Sequence, residues 1–146
     1  MARLYLLDGE WPRWYPVVMH REDLCAMSGR VLLASLFLAS AFGKITNFES
    51  TTRYMEAHGV PLAVFMCALA AGMEALGGIS LVLGYQTRRA AASLGAFVLV
   101  TAIVFHTGAD QRIQLLKNMA ILGGLLQIVA FGAGGIALDE RQPAAR

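Results

Sequence analysis

The chain has 146 residues, enough for one domain, with 57% hydrophobic and only 15% charged residues and a formal net charge of +2. Soluble domains carry about a quarter charged residues; the shortfall, with a mean hydropathy of +0.56, points to an integral membrane protein. The small net charge and the lack of a basic cluster interleaved with aromatics exclude a nucleic-acid partner.

Residues 1–24 are mixed rather than apolar. Asp8, Glu10 and two prolines interrupt the run that a signal peptide needs. Trp11, Trp14 and Tyr15 suit an interfacial arm at headgroup depth, able to contact a partner. The domain reading is therefore an aromatic arm over 1–24, a membrane domain over 25–138 and a charged tail over 139–146.

A first span is predicted over residues 26–45, with Arg30 and Lys44 near its ends and the small residues Ser35, Ala39 and Gly43 spaced for close helix packing. Residues 46–59 form a connection with helical character from Glu49 to His58, stopped by Gly59 and Pro61. Phe48, Tyr54 and Met55 among charges suggest that this helix lies on the membrane surface. A second span is predicted over 62–83, ending at Gly84. The turn Tyr85-Gln86-Thr87-Arg88-Arg89 follows, with Thr87 a plausible N-cap. A third span is predicted over 89–107 and a fourth over 114–137.

The fold class is thus all-α, a four-helix transmembrane bundle. Four spans place both termini on one side, with Arg3, Arg13, Arg21, Arg88, Arg89, Arg141 and Arg146. Lys44, Arg53, Arg112 and Lys117 lie on the other. The positive-inside rule then puts both termini in the cytoplasm.

Ionisable groups within lipid are costly and usually face partners. At ~1.5 Å per residue, Glu74 and Gln127 fall near the midplane, with Arg30 roughly 8 Å toward the cytoplasm and able to reach Glu74. Lys44, His106 and Asn118 fall toward the outer face. This gives a buried polar centre of Arg30, Glu74 and Gln127, and an outer pocket of Lys44, His106 and Asn118. Glu74 reads either as a structural partner of Arg30 or as a proton-exchanging or ligand-binding carboxylate. His106 reads as an interfacial histidine or a ligand, and Lys44 and Lys117 also fit snorkelling to headgroups.

Asn118 and Gln127 are nine positions apart and so point in opposite directions on an ideal helix. The face shared by Gln127, Ala120, Gly123 and Gly124 looks packed, and either Asn118 faces elsewhere or the glycine pair bends the helix. Cys25 and Cys67 have neither CxxC nor metal-ligand spacing, and their placement toward opposite sides excludes a disulfide. No metal site, covalent cofactor or complete catalytic set is visible, so catalysis by the chain alone is not expected. A small polar path remains, suited to a quinone head, a thiol, an ion or another subunit.

The segments Ser40-Ala41-Phe42-Gly43-Lys44-Ile45-Thr46-Asn47-Phe48, Met73-Glu74-Ala75-Leu76-Gly77-Gly78, Leu83-Gly84-Tyr85-Gln86-Thr87-Arg88 and Leu116-Lys117-Asn118-Met119-Ala120, with Arg30 and His106, carry a resemblance. In this order and spacing, the chain from residue 27 to 139 resembles the DoxX family of small four-helix membrane proteins. That resemblance implies a bacterial or archaeal cytoplasmic membrane protein, often linked to oxidoreductase systems such as thiosulfate–quinone oxidation or quinone stress. The expectation is an accessory or quinone-interacting subunit of a membrane redox complex. The alternatives are a scaffold filling a seam in a larger assembly and a small-molecule transporter acting as an oligomer.

Overall fold

A computed structural model describes residues 21–105 and 108–139. The expected aromatic arm of Trp11, Trp14 and Tyr15 lies outside the described residues, as do His106 and residues 140–146. Helix α1 is Arg21–Thr46, α2 Phe48–Ala57, α3 Ala63–Leu83, α4 Thr87–Phe105 and α5 Arg112–Phe131, the last preceded by a 3-10 turn at Ala109–Gln111. Among the described residues there is no strand. Helices α1, α3, α4 and α5 are each long and apolar enough to cross a membrane.

Helix α1 packs mainly on α3, and α4 mainly on α5, with α3 and α4 joining the two pairs. Small residues make the close approaches. A Cβ on Gly77 would lie 2.7 Å from Leu94, and one on Gly78 2.9 Å from Leu38. The core at this junction comprises Ala34, Phe37, Leu81, Ala91, Leu94, Val98, Leu125 and Ile128. Ser35 and Ala39 are exposed instead, and of the small-residue row expected as a close-packing face only Gly43 is part-buried. The helix α1 face that does pack is Arg30, Ala34, Phe37 and Ala41.

Helix α2 turns Thr52 and Met55 inward. Met55, Ala63 and Cys67 form a second small core, against which Phe48, Val60 and Phe105 pack. The Tyr54 ring stacks on Phe105 at 5.6 Å and meets His58 at 4.2 Å. Gly59, at φ +75°, turns the chain into α3. Cys25 is exposed and Cys67 buried, and both are free thiols.

The fourth span is shorter than expected. Helix α5 ends at Phe131, and Gly132 and Gly134, at φ +86° and +79°, fold residues 132–139 back under the bundle. The flanking residues stay apolar, which extends the expected span through both glycines, but their positive φ is incompatible with a right-handed helix. The returning strap is hydrogen-bonded in place. The Leu138 and Asp139 amides donate to the Leu83 and Gly84 carbonyls at 3.3 and 2.9 Å, and the Gly135 amide donates to Asp23 Oδ1 at 2.7 Å.

Arg30 and Asp139 join this strap to the helices. The Arg30 side chain is buried, donating from Nη1 to Leu81 O at 3.1 Å and from Nη2 to Ile136 O. It therefore caps a carbonyl in the last turn of α3 while holding the strap. Asp139 accepts from the Gln86 and Thr87 amides at 2.7 and 2.8 Å and from Thr87 Oγ1 at 2.7 Å. The cap on α4 is thus a distant carboxylate, favoured by the helix dipole, rather than the Thr87 hydroxyl. It also secures Gln86, whose φ of +45° is unfavourable for a residue with a side chain.

Burial alone would raise the Asp139 carboxyl. The Thr87 and Gln86 hydrogen bonds and the nearby Arg30 charge outweigh it, and the group titrates below the usual carboxylate range. A folded pKa below the unfolded value of ~3.9 means that the stabilisation is complete above that value and is lost as pH falls through the folded one. Asp139→Asn should therefore be less stable than the parent at pH 7, with the difference shrinking as pH falls below about 4. Unfolding midpoints in detergent from pH 7 to 3 measure it; a difference independent of pH would count against the capping account.

Candidate functional site

Helix α3 presents Glu74 on its small face, four residues from Ala70 and Gly78 and three from Ala71, all buried. Small neighbours let α1 approach closely, and the antiparallel register sets Gly78 beside Ala34 and Leu38 and Leu81 beside Arg30. The same register brings Ser40 and Lys44 to Glu74. Lys44 Nζ donates to Glu74 Oε1 and Oε2 at 2.9 and 2.8 Å and to Ser40 Oγ at 2.7 Å. Ser40 Oγ donates to Glu74 Oε1 at 3.0 Å. The Glu74 side chain is 5% exposed and that of Lys44 18%.

The expected Arg30–Glu74 pair does not form. Arg30 lies ten residues from Ser40, about 15 Å along α1, and its guanidinium is committed to carbonyls at the opposite end of the bundle. Gln127 is also absent from the polar centre, because it is exposed on the outer face of α5. The glycines and alanines on the face that shares Gln127 predict a packed surface. The residues of α5 that are buried are the larger Leu125 and Ile128, with Leu122 and Ile121 beside them; of the two glycines, Gly124 lies against Leu33 of α1, 3.2 Å from a Cβ position, whereas Gly123 meets no neighbour within 4 Å. Lys44, assigned to a separate outer layer, is the partner of Glu74, so the two expected layers collapse into one.

Beside this cluster lies a cavity of about 600 Å³, to which all five helices contribute. Ser40, Lys44 and Glu74 form its charged wall. Tyr54, Thr101 and Asn118 add polar groups, and Phe37, Met55, Val98 and Ile121 add apolar ones. Asn118 thus faces inward and Gln127 outward, the opposition expected of two residues nine apart. The rim includes Leu36, Leu69 and Val100, each at least 45% exposed, so the cavity opens between helices at the lipid-facing surface.

The hydrogen-bond inventory limits what the cluster can offer. An ammonium has three donors, and those of Lys44 are matched by Ser40 and the two oxygens of Glu74. Glu74 Oε1 accepts twice, whereas Oε2 accepts once and keeps a lone pair in reserve. Among the described residues the Asn118 side chain has no hydrogen-bond partner, and an amide of this kind can both donate and accept. No three His, Cys, Asp or Glu side chains gather as a metal site among the described residues.

Sequence reasoning missed Ser40, Tyr54 and Thr101 as site residues. Ser40 and Lys44 are four apart on α1 and therefore on one face, a signal present in the sequence. Tyr54 and Thr101 reach the cavity only through the docking of α2 and α4.

The sequence profile of DoxX matches residues 25–107. The chain is 36% identical over 122 residues to Inner membrane protein YqjF of Escherichia coli (strain K12), covering 82% of this chain and 92% of that protein. It is 32% identical over 120 residues to Inner membrane protein YphA of the same organism, covering 77% and 86%. No solved structure gives a significant match.

Proposed function

This chain belongs to the DoxX family of integral membrane proteins, and from that premise we propose that its cavity holds a quinone-type ligand, in its hydroxyl-bearing form, for a membrane redox complex. The carrying observation is a cavity of about 600 Å³ with apolar walls and one charged wall, open toward lipid. Its size lies in the ~300–1,000 Å³ range of small-molecule sites, which pair an apolar lining with a few orienting polar groups. A lipid-soluble ring enters from the bilayer side. A ring hydroxyl donates to Glu74 Oε2, the acceptor with capacity left, and the Asn118 amide addresses an oxygen on the facing side. The chain holds and orients the ring; electron transfer belongs to a partner in the complex.

Both termini lie on the cytoplasmic side in this reading, on the arginine asymmetry of the loops, and Lys44 then sits toward the outer face. A scaffold role is the second reading. It is favoured by Ser35, Ala39 and Gln127, small or polar side chains exposed on membrane-spanning helices, where a neighbouring protein packs better than lipid.

Titration of the purified protein in detergent with a short-tailed hydroquinone, followed by isothermal titration calorimetry, tests the ligand reading. Glu74→Gln and Asn118→Leu are each expected to weaken binding about tenfold, the loss of one buried hydrogen bond at ~1.4 kcal/mol. Gln127→Leu, on the outer face, should bind as the parent does. Unchanged binding in both Glu74→Gln and Asn118→Leu, or none in the parent, would overturn it.

A further inference from the structure

A second groove, of about 560 Å³, runs between α3 and α4 and plays no part in the cavity's charged wall. Its apolar length follows α3 from Ala68 to Ser80, about 18 Å at ~1.5 Å per residue. That is close to the depth of one leaflet, half of a ~30 Å hydrocarbon core. Gly77 lets Leu94 form the floor. Gly72, exposed and with nothing within 4 Å of a Cβ position, leaves room above it.

The groove ends at the α3–α4 turn with Tyr85, Gln86 and Arg89, all exposed. Among the described residues Arg89 Nη1 is hydrogen-bonded only to Gln86 Oε1, at 3.5 Å, the limit of a hydrogen bond. Among the described residues it has no carboxylate partner. The nearby acid, Asp139, is occupied by the Gln86 and Thr87 amides and the Thr87 hydroxyl. The Tyr85 hydroxyl accepts from Gln86 Nε2 at 3.3 Å and retains its own proton to donate.

We propose that this groove is a binding site for one anionic phospholipid, with an acyl chain along Gly72 and Gly77 and the phosphate on Arg89. The argument is charge complementarity at a fixed depth. A guanidinium with no carboxylate partner among the described residues, set at the mouth of a leaflet-deep apolar groove, offers paired donors to phosphate oxygens. The Tyr85 hydroxyl adds a further donor, and a single basic pocket at a helix turn selects anionic over zwitterionic headgroups. The proposal is independent of what occupies the larger cavity.

The test uses the full chain, delipidated in mild detergent and then titrated with phosphatidylglycerol or phosphatidylcholine of identical chains. Bound lipid is read by native mass spectrometry and stability by thermal shift. The parent should retain phosphatidylglycerol at least tenfold more strongly. Arg89→Gln should abolish that preference while the protein stays folded, since Arg89 is on the surface. Gly72→Leu should weaken both lipids alike by filling the chain's path, and Arg112→Gln, outside the groove, should change nothing. Equal retention of the two lipids by the parent, or a preference that survives Arg89→Gln, would refute the site. So would an equal thermal shift from glycerol phosphate alone, which would mark a soluble anion's site, or a lipid-independent dimer that Gly72→Leu disrupts.

Discussion

Replacing Lys44 with methionine should destabilise the bundle by about 3 kcal/mol, the lower end of the range for breaking a buried ion pair. The loss is large because Glu74, with a side chain only 5% exposed, keeps its charge site but loses the cation that Ser40 cannot replace. It stays at the lower end because the Lys44 side chain is 18% exposed and water or a headgroup can reach it. The double variant Lys44→Met/Glu74→Leu should recover most of that stability, because a buried pair replaced by apolar groups of similar volume is close to neutral. Unfolding midpoints of the two single variants and the double in one detergent measure the coupling. Additive effects would mean that the pair does not act as a unit, and the account of the site's charged wall would fail.

The second large effect is expected at the opposite end of the bundle. Arg30→Met should cost about 3 kcal/mol by leaving the Leu81 and Ile136 carbonyls without their donor, at ~1–3 kcal/mol for each buried unsatisfied group. Arg30→Lys should not rescue it, because a single ammonium lacks the planar fork that reaches both carbonyls. The readout that separates this from a general loss of packing is hydrogen exchange at Leu138 and Asp139. Their amides bond to Leu83 and Gly84 and should exchange faster in Arg30→Met, while those in the middle of α4 remain protected. Gly84→Ala should mimic it from the other side. At φ +66° with Arg30 Nη1 and the Ala137 backbone packed against the Cβ position, no side chain fits. Protection at Leu138 equal to the parent's in both variants would separate Arg30 from the strap.

The four spans were legible because lipid imposes a length and an apolar composition that a linear sequence displays directly. The ends at Gly59 and Gly84 were legible because glycine followed by a break is a local signal. The end of α5 was not: Phe131, Ala133, Ile136, Ala137 and Leu138 read as a continuing apolar run. Only backbone geometry at Gly132 and Gly134 separates a strap from a span.

The sequence by itself placed Arg30 and Glu74 inside segments that must cross lipid, and left Lys44 open between a pocket residue and one that snorkels to headgroups. It placed Glu74 on a face of small residues, which is a matter of helical periodicity alone. Pairing was decided only by the tertiary structure. Depth counted from helix centres put Arg30 within reach of Glu74, but charges pair by inter-helix register. The contact of Gly78 with Ala34 and Leu38 aligns Glu74 with Ser40 and Lys44 instead. The facing of α5 was decided in the same way. Small residues on Gln127's side resembled a packing surface, yet the bundle gained more by burying Leu125 and Ile128, and Gln127 was left on the outside. Composition chooses the segments that enter the membrane, whereas rotation and register depend on side-chain volumes on neighbouring helices, which no single segment contains.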